Sequence, residues 1–578
     1  MCGIIGITSK NAFKTDEILS CLDRLSYRGY DSAGVVSQGS DIYFEKCVGE
    51  VKDLRKIIKD FDGKTSIAHT RWATTGGVTK ENAHPHADCS NSLFVVHNGI
   101  IENYVELKKS LEEKGHVFKS ETDTEVIAHY LEEKLKQKGM EMAIADFLKD
   151  AKGTFAVLVL QKNSDKIYAI KKDSPLVLGI DNGRNFIASD IYAFSDRTQR
   201  AVFFEDNEFA AVTPEDFIFY DSDGNEIDKL ETRIKWEEEK PGKKYDHYMI
   251  KEIREQPESA ARLIASLETV QKSRLENLAS MMRKSQKIVF LASGTSYHAC
   301  LLAVYFLRKA DIDAQAIIAS EFRDYASIDE QSLVIAVSQS GETMDVIDAL
   351  KFVRERKAKI ASVVNVPFST IQRMSSVSLQ IEAGQEVCVA ATKTFTNQMI
   401  FFLCLASVLG YKASLEKLPE KISSLLSGEE KIIDLAKQLK DKKDIYIIGR
   451  GLSYPVAREI ALKLKEISYI HAEGMMGGEL KHGTLALIES GTPVIALINN
   501  NPAMISSVKE AQARGANIIS ITNTPGLYEE EINIPAENDA EFSVLATIVG
   551  QLLTYYIAKD KGLPIDKPRN LAKSCTVK

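Results

Sequence analysis

Short apolar runs dominate the first part of the chain. Gly3–Thr8, Ser66–His69, Leu93–His97, Phe155–Leu160 and Phe186–Ala188 read as strands. The amphipathic stretches Asp16–Leu25, Glu102–Lys114 and Thr124–Gln137 read as helices between them. Together they predict an α+β domain with antiparallel strands over residues 1–235. A charged segment running from Trp236 through Pro241 and Gly242 lacks hydrophobic periodicity and predicts a linker.

Beyond a helical stretch to about Lys284, strand and helix patterns alternate: Lys287–Ala292, Tyr297–Arg308, Leu333–Ser338, Asp345–Glu355, Ile360–Asn365. Apolar strands separated by helices predict a parallel sheet covered on both faces. The pattern then returns. Ile288–Lys309 aligns without a gap on Ile445–Glu466, and Val334–Asn365 matches Val494–Asn523 with a two-residue deletion. Glycine, serine and tyrosine coincide along with the apolar positions, which points to duplication of one doubly wound unit. The copies part at one turn, where Ser338-Gln-Ser-Gly-Glu-Thr343 in the first faces Ile498-Asn-Asn-Asn501 in the second. The resulting plan is a first domain at 1–235, a linker at 236–256, duplicated domains at 257–425 and 426–560, and a tail at 561–578.

A chain of 578 residues, 44% hydrophobic and 27% charged, fits about three or four globular domains and excludes a small disulfide-stapled scaffold. Lys and Arg number 73 against 81 Asp and Glu, a net charge of −8 without a basic stripe, which argues against nucleic acid as a partner. The eight cysteines lie scattered, with neither CxxC pairs nor Cys/His ligand spacing, so no disulfide framework and no zinc site is expected. The most apolar run, Met399–Gly410, is shorter than the ~18–20 residues that span a bilayer and reads as a buried helix. No basic leader precedes a long apolar segment at the N-terminus, and the expected location is the cytoplasm.

Cys2 follows the initiator and precedes Gly3. A small residue there predicts loss of Met1, giving a thiol that carries its own base as a free α-amine. Such an amine ionises near roughly 7.7–8.0, close enough to neutrality to relay the thiol proton. Alone, Cys2 would read as a small buried hydrophobe. Its neighbours change that: Met1-Cys-Gly-Ile-Ile-Gly6, Tyr27-Arg-Gly-Tyr-Asp-Ser-Ala-Gly34, His69-Thr-Arg-Trp-Ala-Thr74, Ala83-His-Pro-His86, His97-Asn-Gly-Ile-Ile-Glu-Asn103 and Glu121-Thr-Asp-Thr-Glu125. These six segments, in this order, resemble the class II glutamine amidotransferase domains of the N-terminal-nucleophile hydrolases.

That resemblance implies attack of Cys2 on the glutamine side-chain amide and hydrolysis of a glutamyl thioester. Arg71 would grip the α-carboxylate bidentately, Asp123 the α-ammonium, and Arg28 would help wall the glutamine site. Asn98 and the Gly99 backbone N–H would form the oxyanion hole. Trp72 would gate ammonia on its way to a second site. The sequence departs from the family where Thr75-Gly76-Gly77 replaces a common histidine. His84 and His86, an isolated His-Pro-His, read as structural rather than metal ligands.

In the duplicated half, Ser293-Gly-Thr-Ser-Tyr297 and Ser338-Gln-Ser-Gly-Glu-Thr343 each fall where a strand ends and a helix begins, a corner able to cradle phosphate. These motifs and the duplication resemble flavodoxin-like sugar isomerase domains. With Glu459–Glu473, Gly478–Gly483 and Asp566–Lys578, the whole chain is similar to the isomerizing glutamine–ketose-phosphate aminotransferase family. The fold class implied is an α+β N-terminal-nucleophile glutaminase domain followed by two α/β doubly wound sugar isomerase domains.

By that resemblance Lys573 forms a Schiff base with an open-chain ketose phosphate, and Glu466 moves the proton between C1 and C2. Lys463, one turn earlier, assists, and Glu459 continues the same face. His482 opens the sugar ring, reaching the site from a neighbouring subunit of a homodimer. Phosphate and sugar contacts fall on Ser293, Thr295, Ser296, Ser338, Gln339, Ser340, Thr343, Val389, Glu459 and Ala572. Ser293, Thr484, Cys575 and Lys578 depart from the residues usual there. No metal or organic cofactor is implied. The expected function is conversion of fructose 6-phosphate and glutamine to glucosamine 6-phosphate and glutamate. The rivals are a different keto-sugar phosphate, or a regulator that binds sugar phosphate without catalysis.

Overall fold

The computed structural model describes residues 2–234, 245–412 and 415–574, so the charged segment at 235–244, Cys575 and Lys578 lie outside the described residues. Two compact units divide the chain, one over the first 238 residues and one from 239 to 573.

In the first unit an eight-stranded and a seven-stranded sheet are both antiparallel throughout their pairings. The alternation of strand side chains sets the layers. From Leu93–Ile101, Phe94 and Val96 meet Ile4, Val36 and Ile67 of the other sheet, while Leu93 and Val95 face the helices Glu125–Leu135 and Met140–Asp150. All five expected strands form, most of them longer than their apolar runs; Gly3–Thr8, for example, continues to Lys14. The expected helices appear as Thr15–Asp23, Tyr104–Glu112 and Glu125–Leu135.

The second unit holds two five-stranded parallel sheets. In the first copy the order places Lys287–Ala292 between Gln315–Ile318 and Ser332–Ser338, followed by Lys359–Val364 and Val377–Gln380. The second copy repeats it, with Asp444–Gly449 between His471–Met476 and Pro493–Ile498, then Asn517–Thr522 and Glu530–Asn533. Sharing one strand order, the copies carry the duplication from sequence into topology. Chain direction reverses across the sheet beside the first strand of each copy, and in open α/β sheets ligands bind at the carboxyl ends of the strands there.

One expected boundary changes. The segment expected as linker at 236–256 ends in a helix, Tyr248–Arg254, whose Met249 and Ile253 are buried in the core of the second unit. The apolar run at Met399 is a buried helix as expected, and among the described residues a longer apolar helix lies elsewhere. Met399–Leu409 lies within the buried helix Lys393–Leu409, which Gly410 caps, and Asp539–Asp560 is longer and apolar enough to cross a membrane. Its apolar window is 94% buried within the fold, which makes it a core helix.

Candidate active sites

Strand register builds the first site. Gly3 pairs with Thr70, so Cys2 lies beside Arg71 and Trp72 at the end of the neighbouring strand. The Trp72 backbone N–H donates to Cys2 Sγ at 3.2 Å. Burial pushes the Cys2 thiol up, against the opposing pull of that N–H and of Arg71. From the second sheet, Asn98 Nδ2 donates to the Cys2 carbonyl at 2.8 Å, and Asn98 Oδ1 is buried without a partner. Gly99 follows at φ +127°, and a Cβ there would stand 1.9 Å from the Thr154 carbonyl oxygen, so only glycine fits the strand at this point.

Arg71 donates to the carbonyls of Gly77 at 3.0 Å, Gly76 at 3.4 Å and Thr75, clamping the loop that departs from the family pattern. Gly76 sits at φ +77°, a conformation that suits glycine. Asp123 is buried and accepts from the Ile101 backbone N–H at 2.8 Å. Arg28 is placed differently from the other two glutamine-binding candidates. Its guanidinium is buried against Asp190 at 2.8 Å and donates to the Tyr27 hydroxyl at 3.0 Å, so its charge is already matched within the wall. The Trp72 ring stands edge-on to Tyr30 with centroids 5.4 Å apart.

The His-Pro-His pair is tied into the interior. His84 Nε2 lies 3.2 Å from Thr124 Oγ1, His86 Nε2 lies 3.1 Å from Thr122 Oγ1, and the His84 ring stacks on His69. Burial first, then neighbouring positive charge, holds His69 and His84 well below the ordinary imidazole range.

The second site forms between the duplicated copies. Helix Gly294–Arg308 of the first copy presents Thr295 and His298 to helix Ser453–Lys463 of the second. Glu459 accepts from Thr295 Oγ1 at 3.0 Å and lies 2.7 Å from His298 Nδ1. Lys463 Nζ reaches Thr295 Oγ1 at 3.0 Å, Glu459 at 3.3 Å and Glu466 at 2.5 Å. Glu466 lies not on regular α-helix but on a π turn, Leu464–Ser468, a local widening frequent at functional sites. Burial, reinforced by the Glu459 charge, pushes the Glu466 carboxyl up despite the pull of Lys463 and Lys573. Glu459 goes the other way: burial opposes its ionisation, but Lys463 and His298 hold it below the usual carboxylate range.

Lys573 comes from the tail, and its charge acts on Glu466. Its ammonium, 4% exposed, pairs with Glu386 Oε2, which also accepts from Thr394 Oγ1 at 2.7 Å. The Thr392 and Thr394 backbone N–H groups hold the other oxygen of Glu386. Glu252 lies alongside, and burial and the Glu386 charge push its carboxyl up. The tail is tied down by Asp566, whose carboxylate caps the N-terminus of helix Tyr248–Arg254 with 2.9 Å bonds from Tyr248 and Met249. Its backbone carbonyl accepts from Val389 at 3.1 Å.

The two serine-rich turns follow the strands Lys287–Ala292 and Ser332–Ser338. Ser338 Oγ accepts from Gly341 N–H at 3.0 Å and lies 2.9 Å from Thr343 Oγ1. Ser340 Oγ accepts from Glu342 N–H, and the Gln339 carbonyl accepts from Asn365 and Val366. Ser296 Oγ accepts from Gln398 at 2.9 Å, while Ser293 Oγ is buried without a partner at the start of helix Gly294–Arg308. Ala572 is half-buried next to Lys573. His482 stands apart, exposed on the short turn Leu480–His482. Sequence reasoning did not find Glu386, Glu252, His298 or Asp566. Each acts through a tertiary contact and carries no spacing signal beyond being a polar group in an apolar or turn segment.

Comparison with known proteins agrees with both halves. The glutamine amidotransferase domain family matches residues 69–196, and the SIS domain family matches residues 281–408 and 438–558. The glutamine–fructose-6-phosphate aminotransferase (isomerizing) of Thermococcus kodakarensis is 43% identical over 610 residues, spanning the full length of both chains. Those of Sulfurisphaera tokodaii and Clostridium acetobutylicum are 41% and 40% identical, again over the full length of each. Among solved structures, the C-terminal domain of glucosamine-fructose-6-phosphate aminotransferase from Francisella tularensis is 33% identical with a TM-score of 0.52, covering 57% of this chain and all of that one.

Proposed function

This chain belongs to the isomerizing glutamine–fructose-6-phosphate aminotransferase family, and we propose that Cys2 and Lys573 are its two nucleophiles. It makes glucosamine 6-phosphate from fructose 6-phosphate, with glutamine as nitrogen donor and glutamate as co-product. The observations that support this assignment of roles are the buried pair of Lys573 with Glu386 and the contact of Lys463 with Glu466 on the π turn.

At the glutaminase site, loss of Met1 frees the α-amine that takes the Cys2 proton as the sulfur attacks the glutamine Cδ. The same amine returns a proton to the departing ammonia. Water then cleaves the thioester to release glutamate and restore the thiol. Asn98 Nδ2 and the Gly99 N–H stabilise the oxyanion, Arg71 and Asp123 hold the α-groups, Arg28 braces the wall, and Trp72 gates the ammonia.

At the isomerase site, Lys573 gives its proton to Glu386 and attacks C2 of the open-chain ketose, expelling water as the imine forms. Ammonia displaces the lysine from C2. Glu466 removes a proton from C1 and delivers one to C2, which turns the ketose imine into the aldose amine. Lys463 sets the charge around that carboxylate, and Ser338, Ser340, Gln339 and Thr343 hold the phosphate, with Ser293, Thr295, Ser296, Val389 and Ala572 around the sugar. His482 opens the sugar ring from the second subunit of a homodimer. The cysteines, unpaired at all seven described positions, support a reducing cytoplasmic setting.

The test is the release of glutamate and amino-sugar phosphate from purified protein given glutamine with and without fructose 6-phosphate. Equimolar glutamate and glucosamine 6-phosphate are expected. Glutamate without amino sugar would reject the sugar assignment.

A further inference from the structure

The first unit contains a second cluster of reactive side chains that the reaction does not use. Cys89 Sγ, His116 Nδ1, His129 Nδ1 and a carboxylate oxygen of Glu132 all lie within 4.8 Å of one another. The sulfur is 3.7 Å from His116 Nδ1 and 3.5 Å from His129 Nδ1, and Glu132 Oε2 is 3.0 and 3.2 Å from the same two nitrogens. Zinc bonds of about 2.3 Å to sulfur and about 2.0–2.1 Å to nitrogen and oxygen, set at tetrahedral angles, would separate sulfur from nitrogen by about 3.6 Å and nitrogen from oxygen by about 3.3 Å. All four measured separations lie close to those edges.

The outer contacts point the same way. His116 Nε2 is 3.1 Å from Glu133 Oε2. A carboxylate on the far nitrogen of His116 can hold the proton there and turn the near nitrogen's lone pair inward, the arrangement that orients histidine ligands in metal sites. With Nδ1 of both rings turned inward, two imidazole lone pairs, the sulfur and a carboxylate oxygen that also accepts from the Cys89 backbone N–H at 3.2 Å converge. A dication resolves that crowding of acceptors. His116 and His129 are buried, while Cys89 is exposed, which leaves a path for an ion to enter.

We propose that Cys89, His116, His129 and Glu132 form a structural site for one zinc ion, bound by the Cys89 thiolate after loss of its proton to solvent. Four protein ligands close the tetrahedron and leave no position for substrate, so the ion's role is to fasten chain segments. It joins the turn at Asp88–Ser92 and His116 to the helix Glu125–Leu135. Glu125, which backs His129, also accepts from the backbone N–H groups of Lys119 and Ser120, so the metal would stiffen the segment leading to Asp123. The ligands are separated by 26, 12 and 2 residues, which is why the scattered cysteines announced no metal site in the sequence.

The test uses the full chain, purified without metal-affinity chromatography, with zinc measured by mass spectrometry. About one zinc per chain is expected, and less than a tenth of that in Cys89→Ser. Glu133→Gln, which keeps all four ligands, should weaken zinc affinity about 10- to 100-fold in competition with a chromogenic chelator. Cobalt(II) added to chelator-stripped protein should give the intense visible bands of tetrahedral coordination and a thiolate charge-transfer band that Cys89→Ser removes. Stripped wild-type protein that takes up neither zinc nor cobalt stoichiometrically, or a Cys89→Ser variant that binds them as well as wild type, overturns the proposal. Metal content is read independently of glutamate and amino-sugar release, so failure here and failure of the proposed reaction are told apart.

Discussion

Lys573 and Glu386 are joined by a buried ion pair in which the carboxylate is also held by two backbone N–H groups and the Thr394 hydroxyl. In the proposed reaction Lys573 must lose its proton to attack a carbonyl, and Glu386, which the Lys573 charge holds below the usual carboxylate range, is the group in contact to receive it. Glu386→Gln keeps the shape and removes the acceptor's charge. A hydrogen bond to a charged group is worth about 1.5–3 kcal/mol, so amino-sugar synthesis should fall about 10- to 100-fold. Glutaminase activity at Cys2 should persist. Lys573→Ala should abolish synthesis outright. Steady-state assays of both half-reactions check this, and an unchanged synthesis rate in Glu386→Gln would remove Glu386 from the mechanism.

Glu466 offers a pH signature. Its carboxyl is raised by burial and by Glu459, and lowered by Lys463 and Lys573. In the proposed role as base for the C1 proton it must be ionised, so the rate should decline as pH falls through its raised pKa. Lys463→Gln removes a lowering charge and should move that acid limb to higher pH. Glu459→Gln removes a raising charge and should move it to lower pH. The position of the limb in a kcat–pH profile, rather than its height, is the readout. Shifts of the same sign in both variants would show that another group sets it.

The legible part of this protein was local pattern. Strand and helix runs, the duplication and the corner motifs followed from periodicity and turn chemistry, and both sheets of the second unit repeat one order as the duplication required. Lys463 and Glu466 were placed on one helical face by spacing, and the structure joins them at 2.5 Å, although through a π turn that spacing does not announce. What stayed hidden depends on distant contacts. Glu386 is one acid in a loop, and it gains meaning only when a tail residue 187 positions later meets it. Arg28 lies in a motif around the nucleophile, yet its partner is Asp190, from a turn 162 positions away. The helix Tyr248–Arg254 begins against a polar, charged stretch, and its buried face became visible only in packing.

Asn98 and Gly99 allow two separable effects at the first site. Asn98→Ala removes an oxyanion donor and should lower glutaminase kcat about 10²- to 10³-fold with little change in KM. Gly99→Ala places a Cβ 1.9 Å from the Thr154 carbonyl, at a φ that L-residues avoid. That variant should lose thermal stability as well as activity. Calorimetry beside glutamate assays distinguishes them; a Gly99→Ala chain as stable as wild type would contradict the close strand approach.

His482 lies exposed on its turn, outside the ring of contacts formed by Glu459, Lys463 and Glu466. If it serves the site of a second subunit, each site needs Lys573 from one chain and His482 from the other. His482→Ala and Lys573→Ala should then be inactive alone. Mixed and reassorted in equal amounts, they should recover activity in about a quarter of the sites, the share in which both intact residues meet across a two-fold dimer. A chain that served its own site would give no recovery, because every site would keep one defect. Activity after mixing, read with the oligomeric state by light scattering, separates the two arrangements.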